Sequence, residues 1–355
     1  MLKSIIGIVT SLYRTKIVLH DQGVCIRLNK IKFGAFLPFY TFEFEDKEPS
    51  LAFNRLRDVV LECERLGYDS VWLDDHLMFG KRPILECWTT LSALSSITTT
   101  IRLGTMVSCN SFRNPALLAK MAATFDVMSN GRLEFGIGAG VQRDEHTAYG
   151  IPFLKPPVRI DRLKEAVEII KKLWTQEKAS YEGKYYRIKE AVCEPKPVQK
   201  PHPPITIGGS GEKLTMKLAA QHADRSDWGY IPSLKVYKHK LDVLERHCKA
   251  VGRNFHEIEK SNWLGGQIFI APNQEELDAK VLRWKPKNVS LKDFKNLNLV
   301  GTPTEYKQKI WQYSSLGVTY FMLYFGDLPK LSGVRLFAKT VVKAIKSVDR
   351  SNDYG

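Results

Sequence analysis

From Ile31 onward, short apolar runs alternate with longer stretches in which apolar residues return every three to four positions, the periods of buried strands and of amphipathic helices. The segment from Ile101 to Gly140 shows the unit most clearly. An apolar run over Ile101–Val107 and a second over Leu133–Ile137 bracket a helical pattern between Asn114 and Met128. Both runs end in small or polar residues rather than in a charged turn, and in a parallel sheet the carboxyl ends of strands are where ligands bind.

The same unit repeats along the chain. IKFGAFLPF predicts a first strand closed by Pro38. Leu51, Leu56, Val59, Val60, Cys63 and Leu66 predict a helix that Gly67 stops, and Tyr68–Leu73 predicts a second strand ending abruptly in Asp74, Asp75 and His76. A helix is expected over Glu86–Ile97. Beyond Gly140, VQRDEHTAYGIPF reads as a loop, Val158–Trp174 as an amphipathic helix and Tyr181–Arg187 as a small hairpin outside the main repeat. The proline-dense EPKPVQKPHPP is expected to cross the surface in extended form and to deliver the chain to a fifth strand, PITIGG, ending in Gly208 and Gly209.

A helix over Ser210–His222, a sixth strand over Asp224–Ile231, a helix over Leu234–Val251 and a seventh strand near Gly265–Ala271 follow. The next helix opens at Pro272 and Asn273, and Lys285–Leu299, basic and without a period, reads as a long connection. TPTEY carries Pro at a helix start and Glu in its first turn, as a helix amino terminus favours. Val318–Phe325 is the eighth strand and Leu331–Val348 the closing helix. Eight alternations with no second composition regime predict an α/β fold, a single (β/α)8 TIM barrel with insertion segments over residues 31–350, preceded by an extension over 1–30 that lies outside the fold.

Composition narrows the class. A chain of 355 residues with 44% hydrophobic and 26% charged residues has material for a large core, and the apolar stretch within Leu2–Leu19 is broken by Arg14 and Lys16 short of a membrane span. No small-residue cleavage pattern follows that stretch, which argues against a secretory signal. The formal charge of +15 invites a nucleic-acid reading, but Lys and Arg are spread along the chain and alternate with acids on stretches such as Arg159–Lys172. A solvated surface with a basic bias near an anionic ligand is the plainer reading, with neither nucleic acid nor membrane as a partner. The six cysteines are far apart and form no CxxC pair, which suggests neither a zinc site nor a disulfide framework and fits a cytoplasmic setting.

Four strand ends carry candidate chemistry. His76 beside Asp75 is suited to holding or delivering a proton near neutral pH; a lone histidine at a strand end also serves as a structural hydrogen-bonding residue, and the position on the carboxyl-end rim of a barrel favours the functional role. Cys109, within Met106–Asn110, requires an activating base to act as a nucleophile, and none is visible, so it reads as a small pocket-lining residue. Gly138–Gly140 ends the fourth strand. GGSGEK, Gly208–Lys213, feeds a strand into a helix through a turn whose backbone N–H groups suit a phosphate, although a tight turn needs glycine in any case. Lys213 points either to that phosphate or to solvent. Glu145 and His146 fall in a flexible-looking loop where a surface role is at least as fitting.

Taken together, LGTMVSCNSFRNPALLAKMAATFDVMSNGRLEFGIGAG, YDSVWLDDH, EHTAYGIPF, YEGKYYR, ITIGGSGEK and LVGTPTEY resemble the bacterial-luciferase-like superfamily, and within it the oxidoreductases that use the deazaflavin coenzyme F420. The resemblance covers residues 31 to about 347. It implies a TIM barrel, usually dimeric, that binds a flavin or deazaflavin at the carboxyl-end rim, with a non-proline cis peptide in a bulge of the third strand at Met106 and Val107 backing the ring. It further implies that Asp75 contacts the deazaflavin headgroup and that His76 stands near the substrate as proton donor or hydrogen-bonding partner. Cys109, Ala139 and Gly140 would line the ring and its ribityl chain, and Gly208, Gly209, Gly211 and Glu212 would give backbone contacts to the phosphate. Sugar-phosphate dehydrogenases of this family place a Glu just after the fourth-strand GxG and an aromatic residue four positions past the histidine. Val141 and Gly80 stand there in this chain, so neither that substrate nor its acid–base pair carries over.

The expected function is therefore an F420-dependent oxidoreductase passing a hydride between the deazaflavin C5 and a small organic substrate. An FMN-dependent luciferase-like monooxygenase is the alternative, and a non-catalytic flavin- or nucleic-acid-binding protein a second. No metal site is expected.

Overall fold

The computed structural model describes residues 31–39, 49–231 and 233–351; the extension read over 1–30 lies outside the described residues. Eight parallel strand positions close into a barrel. They are β1 (Lys32–Phe36), β2 (Ser70–Leu73), β3 (Arg102–Thr105) with its continuation β4 (Ser108–Cys109), β5 (Leu133–Gly138), β8 (Ile205–Gly208), β9 (Arg225–Asp227), β10 (Glu259–Asn262) and β13 (Val318–Leu323). Around the barrel the order is β3, β2, β1, β13, β10, β9, β8, β5, and β5 pairs back onto β3 through Leu103 with Leu133 and Gly104 with Glu134. Closure leaves the barrel sheet itself without a free edge among the described residues.

The helices follow the apolar periodicity and wrap the barrel. They are α1 (Pro49–Arg65), α2 (Cys87–Ile97), α3 (Pro115–Met128), the short α4 (Arg143–Ala148), α5 (Pro156–Thr175), α6 (Thr215–His222), α7 (Leu234–Ala250), α8 (Gln274–Trp284), α9 (Leu291–Leu297), α10 (Pro303–Ser314), α11 (Ser332–Phe337) and α12 (Lys343–Ser351). Their starts are chemically marked: the Asn114 side chain accepts from the Ala116 N–H ahead of Pro115, and Thr302 and Glu305 form a reciprocal capping box. The hairpin expected from YEGKYYR is the antiparallel pair β6 (Ala179–Glu182) and β7 (Arg187–Ala191).

Three expectations are corrected. The seventh barrel strand is β10 rather than Gly265–Ala271. The apolar run there forms β11 (Ile268–Ile270), which pairs outside the barrel with β12 (Leu299–Gly301). Strand β10, sequence EKSN, was hidden because its polar side chains serve interior hydrogen bonds. The supposed long connection over Lys285–Leu299 contains α9, too short at two turns to show a period, and capped by Ser290 accepting from the Asp293 N–H at 3.0 Å. The closing helix is divided by a π-helical turn over Ala338–Val342.

The amino-terminal end of the barrel is plugged by charge. Arg225, fully buried, bonds Glu134 at 2.8 Å and Glu259 at 2.6 Å, and its guanidinium lies 3.9 Å from the Tyr320 ring centroid. Arg102 also reaches Glu134, and Lys32 reaches Glu259 at 3.1 Å. Burial alone would raise the two carboxyls, but the facing guanidinium charges hold both below the usual carboxylate range. Above this layer the interior is aromatic: Phe36, Trp72, Tyr320 and Met322 pack with Met106, Trp263 and Tyr324. The floor is thus sealed, and the carboxyl-end rim is the open end.

Candidate functional site

The site is assembled where strands end. After β3 the chain makes a cis peptide between Met106 and Val107 and resumes as β4. The bulge inferred from the resemblance is therefore present at the expected pair. The Val107 side chain is driven into the wall formed by β5 and β8: a Cβ placed on Gly138 would meet Val107 Cγ2 at 2.6 Å, and one on Gly208 would meet Cγ1 at 2.9 Å. Glycine at these positions is a packing requirement of the bulge, which the sequence alone did not reveal.

Asp75 faces inward. Its carboxylate is held at both oxygens by Arg113, at 2.6 and 3.0 Å, and accepts the Cys109 N–H at 2.9 Å. Arg113 also binds Glu86, the residue capping α2. Asp75 thereby ties β2, β4 and α2 together beneath the rim, and at 3% exposure its contact with a headgroup would be at the edge of this chelate. Asp74 is likewise buried, accepts the Phe39 N–H at 2.9 Å, and is pushed up to about 6 by burial.

His76 is the one titratable side chain of the Asp-Asp-His cluster turned partly outward. Its carboxylate partner is not the adjacent Asp75 but Glu145: Nδ1 lies 3.0 Å from Oε1, while Oε2 accepts the Leu77 N–H at 3.0 Å. Burial would lower the imidazole, but the Glu145 hydrogen bond and the charges of Glu145, Asp74 and Asp75 outweigh it, and the pKa is raised above the ordinary histidine value. Glu145 and His146 are not in a flexible loop. They lie on α4, with Glu145 2% and His146 0% exposed, because the helix turns both inward against the rim.

His146 supplies the base that the sequence did not place near Cys109. Its Nδ1 bonds the Gln142 carbonyl at 2.6 Å, which assigns that proton to Nδ1, and its Nε2 lies 3.8 Å from Cys109 Sγ. Burial nevertheless pushes the Cys109 thiol up to about 12, so the residue stays a neutral wall element rather than a thiolate. Gly140, at φ +79°, closes on the same pair: an added Cβ would sit 2.7 Å from Cys109 Sγ and 3.3 Å from His146 Nε2. Phe112 and Phe153 flank the His146 ring at centroid distances of 5.1 and 5.0 Å. Ala139 stands half-buried between Gly138 and Gly140.

The glycine turn after β8 differs from a direct strand-to-helix turn, since α6 begins only at Thr215. The Ser210 carbonyl accepts Lys240 Nζ and the Glu212 carbonyl faces His247 Nε2, both at 2.7 Å. In a planar trans peptide the C=O and the next N–H point oppositely, so the N–H groups of Gly211 and Lys213 turn away from α7. Glu212 receives Lys240 at 2.7 Å and lies 3.2 Å from His239, which hold its carboxyl below the usual range. Gly209 and Gly211 leave the backbone bare, and Lys213 is exposed.

This half of the rim fits a ring and a phosphate-bearing tail. A Cβ at Gly138 or Gly208 would strike Val107 and one at Gly140 would strike Cys109, so the backbone along this wall stays bare, and buried Asn110, whose N–H donates to the Gly138 carbonyl, keeps its Oδ1 without a hydrogen-bond partner. Among the described residues no group of three or more His, Cys, Asp or Glu is placed to hold a metal, and no helix is long and apolar enough to cross a membrane.

A closed parallel barrel with its polar side chains and bare backbone gathered on the carboxyl rim has the build of a TIM-barrel enzyme. The chain belongs to the luciferase-like monooxygenase family, whose description matches residues 31–288. It is 34% identical over 244 residues to an F420-dependent glucose-6-phosphate dehydrogenase of Microbacterium testaceum, covering 66% of this chain and 69% of that one. It is 33% identical over 218 residues to the protein of the same description from Kineococcus radiotolerans, covering 58% and 62%. The chain thus spans about two thirds of the length of these curated relatives. Among solved structures, an F420-dependent secondary alcohol dehydrogenase in complex with an F420–acetone adduct superimposes with a TM-score of 0.72 over 88% of this chain and 99% of that one, at 21% identity, a likeness of fold. The family and these relatives make the chain an oxidoreductase.

Proposed function

We propose that this protein is a coenzyme F420-dependent oxidoreductase acting on a small organic substrate at the carboxyl-end rim. When bound, the deazaflavin supplies a carbon centre that gives or takes a hydride. The cradle of Val107, Gly138, Ala139, Gly140 and Gly208, with Met106 beside it, holds the ring; the N–H edge of Gly209–Lys213 receives the phosphate; and Cys109 closes the wall. Asp75 fixes the cradle's backbone through the Cys109 N–H and Arg113, so its part is to position as well as to border the headgroup.

The observation that carries the reading is the partly exposed His76 held by buried Glu145 next to this cradle. With Nδ1 turned to Glu145, Nε2 is the atom left to exchange a proton with the substrate. The raised pKa keeps the imidazole protonated further into the neutral range, where it acts as a general acid toward a substrate oxygen and as a base in the reverse direction. Orientation within the cup adds the entropic advantage of a positioned pair. The second reading, FMN-dependent oxygenation, is favoured by the family's own description.

Oxidation of reduced F420 by candidate substrates under strict exclusion of oxygen tests the choice. Turnover without oxygen, lost in His76→Ala while coenzyme affinity stays within about threefold, is the expected result. Turnover that requires oxygen and FMN, or a His76→Ala protein with the native rate, contradicts it.

A further inference from the structure

The order of strands around the barrel divides the rim into two unlike halves. The glycine cradle, the Met106–Val107 bulge and the phosphate turn belong to β3, β4, β5 and β8, which are contiguous. On the opposite side, β1, β13 and β10 are also contiguous, and each presents an aromatic residue at its carboxyl end: Phe36, Tyr324 and Trp263. His76 follows β2, at the junction between the halves.

The three aromatic side chains form one surface. Phe36 meets Trp263 edge-on at 4.9 Å between centroids and Tyr324 at 5.7 Å, over Met322 and Trp72. Two of them have polar tips, and both are already engaged. Trp263 Nε1 donates to both oxygens of buried Asp227 at 3.0 Å, and Tyr324 OH accepts from Gln267 Nε2 at 2.7 Å. A turn fixes the first of these: Asn262 Oδ1 accepts the Leu264 N–H at 2.6 Å, with Leu264 at φ +55°. Trp263 and Tyr324 remain partly exposed, so ring faces rather than hydrogen-bonding groups are offered.

The charged groups that flank this half have hydrogen-bond partners among the described residues. Asp227 is satisfied by Ser261, Trp263 and the Gly229 N–H, and Arg113 is chelated by Asp75 and Glu86. Among the described residues the cations over rings of this cluster, Arg225 over Trp72 and Tyr320 and Lys32 over Tyr320, are paired with Glu134 and Glu259 on the barrel floor. A phosphate placed there would lose its water without a compensating partner, whereas an apolar planar group would gain dispersion and aromatic contacts.

We propose that the aromatic half-rim of Phe36, Trp263 and Tyr324 is the substrate subsite and selects uncharged, apolar, planar molecules bearing a single polar oxygen for His76, not sugar phosphates. This rests on the F420 reading only for the word substrate; the binding preference is a property of the surface.

The test is direct binding, followed by quenching of tryptophan fluorescence and by ligand-observed NMR, using 2-acetylnaphthalene and glucose 6-phosphate as probes, with and without F420. The expected result is saturable binding of the ketone and at least tenfold weaker binding of the sugar phosphate. Trp263→Ala and Phe36→Ala should each weaken the ketone about tenfold, with F420 affinity within twofold of the parent. If Trp263→Ala does not fold, Tyr324→Ala, at a partly exposed position, carries the same expectation. Glucose 6-phosphate binding as tightly as the ketone, or ketone binding indifferent to all three substitutions, overturns the proposal. Ketone binding that follows this pattern in a protein that ignores F420 upholds the subsite and removes the coenzyme reading instead.

Discussion

Nδ1 of His76 lies 3.0 Å from Oε1 of Glu145, a residue 69 positions later in the chain and 2% exposed. The pair joins the end of β2 to α4 and determines which imidazole nitrogen faces the cup. A carboxylate so placed both orients the ring and stabilises its charged form.

Glu145→Gln therefore should lower the His76 pKa while preserving the shape of the site. The proton on His76 is lost as pH rises through its raised folded pKa, so the limb of the rate profile that depends on that proton should move to lower pH in the variant. Turnover at neutral pH should fall on the order of 10- to 100-fold. Titration of the His76 ring by NMR reports the same shift independently of turnover, and an unmoved titration would contradict the pairing.

The bulge makes a packing prediction. Gly138→Ala should force the Val107 side chain off the cradle, since the new methyl would sit 2.6 Å from Val107 Cγ2. Overpacking of this kind costs roughly 1–3 kcal/mol. Val107→Ala in the same chain should recover part of that loss, and a double-mutant cycle by chemical denaturation measures the coupling. Additive effects would show that the two residues do not press on each other.

Asp74 is pushed up to about 6 by burial, so its ionised form opposes folding. A carboxyl whose folded pKa lies above its unfolded value loses stability as pH rises from the unfolded pKa through the folded one. Asp74→Asn, which keeps an acceptor for the Phe39 N–H, should accordingly be more stable than the parent at pH 8, by roughly 1–3 kcal/mol. The advantage should vanish below about pH 4. Denaturant melts across that range check the sign.

The floor of the barrel gives the opposite expectation. Arg225→Met removes the one cation shared by buried Glu134 and Glu259, leaving them only Arg102 and Lys32 at the edge of the cluster. Breaking one side of a buried charged cluster costs about 3–5 kcal/mol. A thermal melt showing no loss would mean that the cluster is not stabilised by Arg225.

Much of this was legible in the alternation of periods. Strand β5, buried at every position, reads as an apolar run broken only by Glu134, and the helices on the outside carry the amphipathic repeat, so the barrel was foreseeable. What failed were elements whose side chains do interior polar work. Strand β10 reads EKSN because Glu259 serves Arg225 and Ser261 serves Asp227, and nothing in that run announces burial. The site was legible as strand ends but not as pairings. The sequence put His76 next to Asp75, whereas Asp75 turns to Arg113 and His76 to Glu145, since neighbouring residues at a strand end point to different sides. Two acidic residues in the first turn of α4, Asp144 and Glu145, were the one local signal that a helix begins there. The aromatic half of the rim was invisible because Phe36, Trp263 and Tyr324 converge only when the barrel closes.

The most direct measurement is a titration of the purified protein with oxidised F420 and, separately, with FMN, followed by fluorescence. Micromolar binding of F420 that is weakened at least tenfold by Gly138→Ala, with FMN binding much more weakly, is the predicted result. Micromolar binding of FMN with none of F420 would contradict the proposed function.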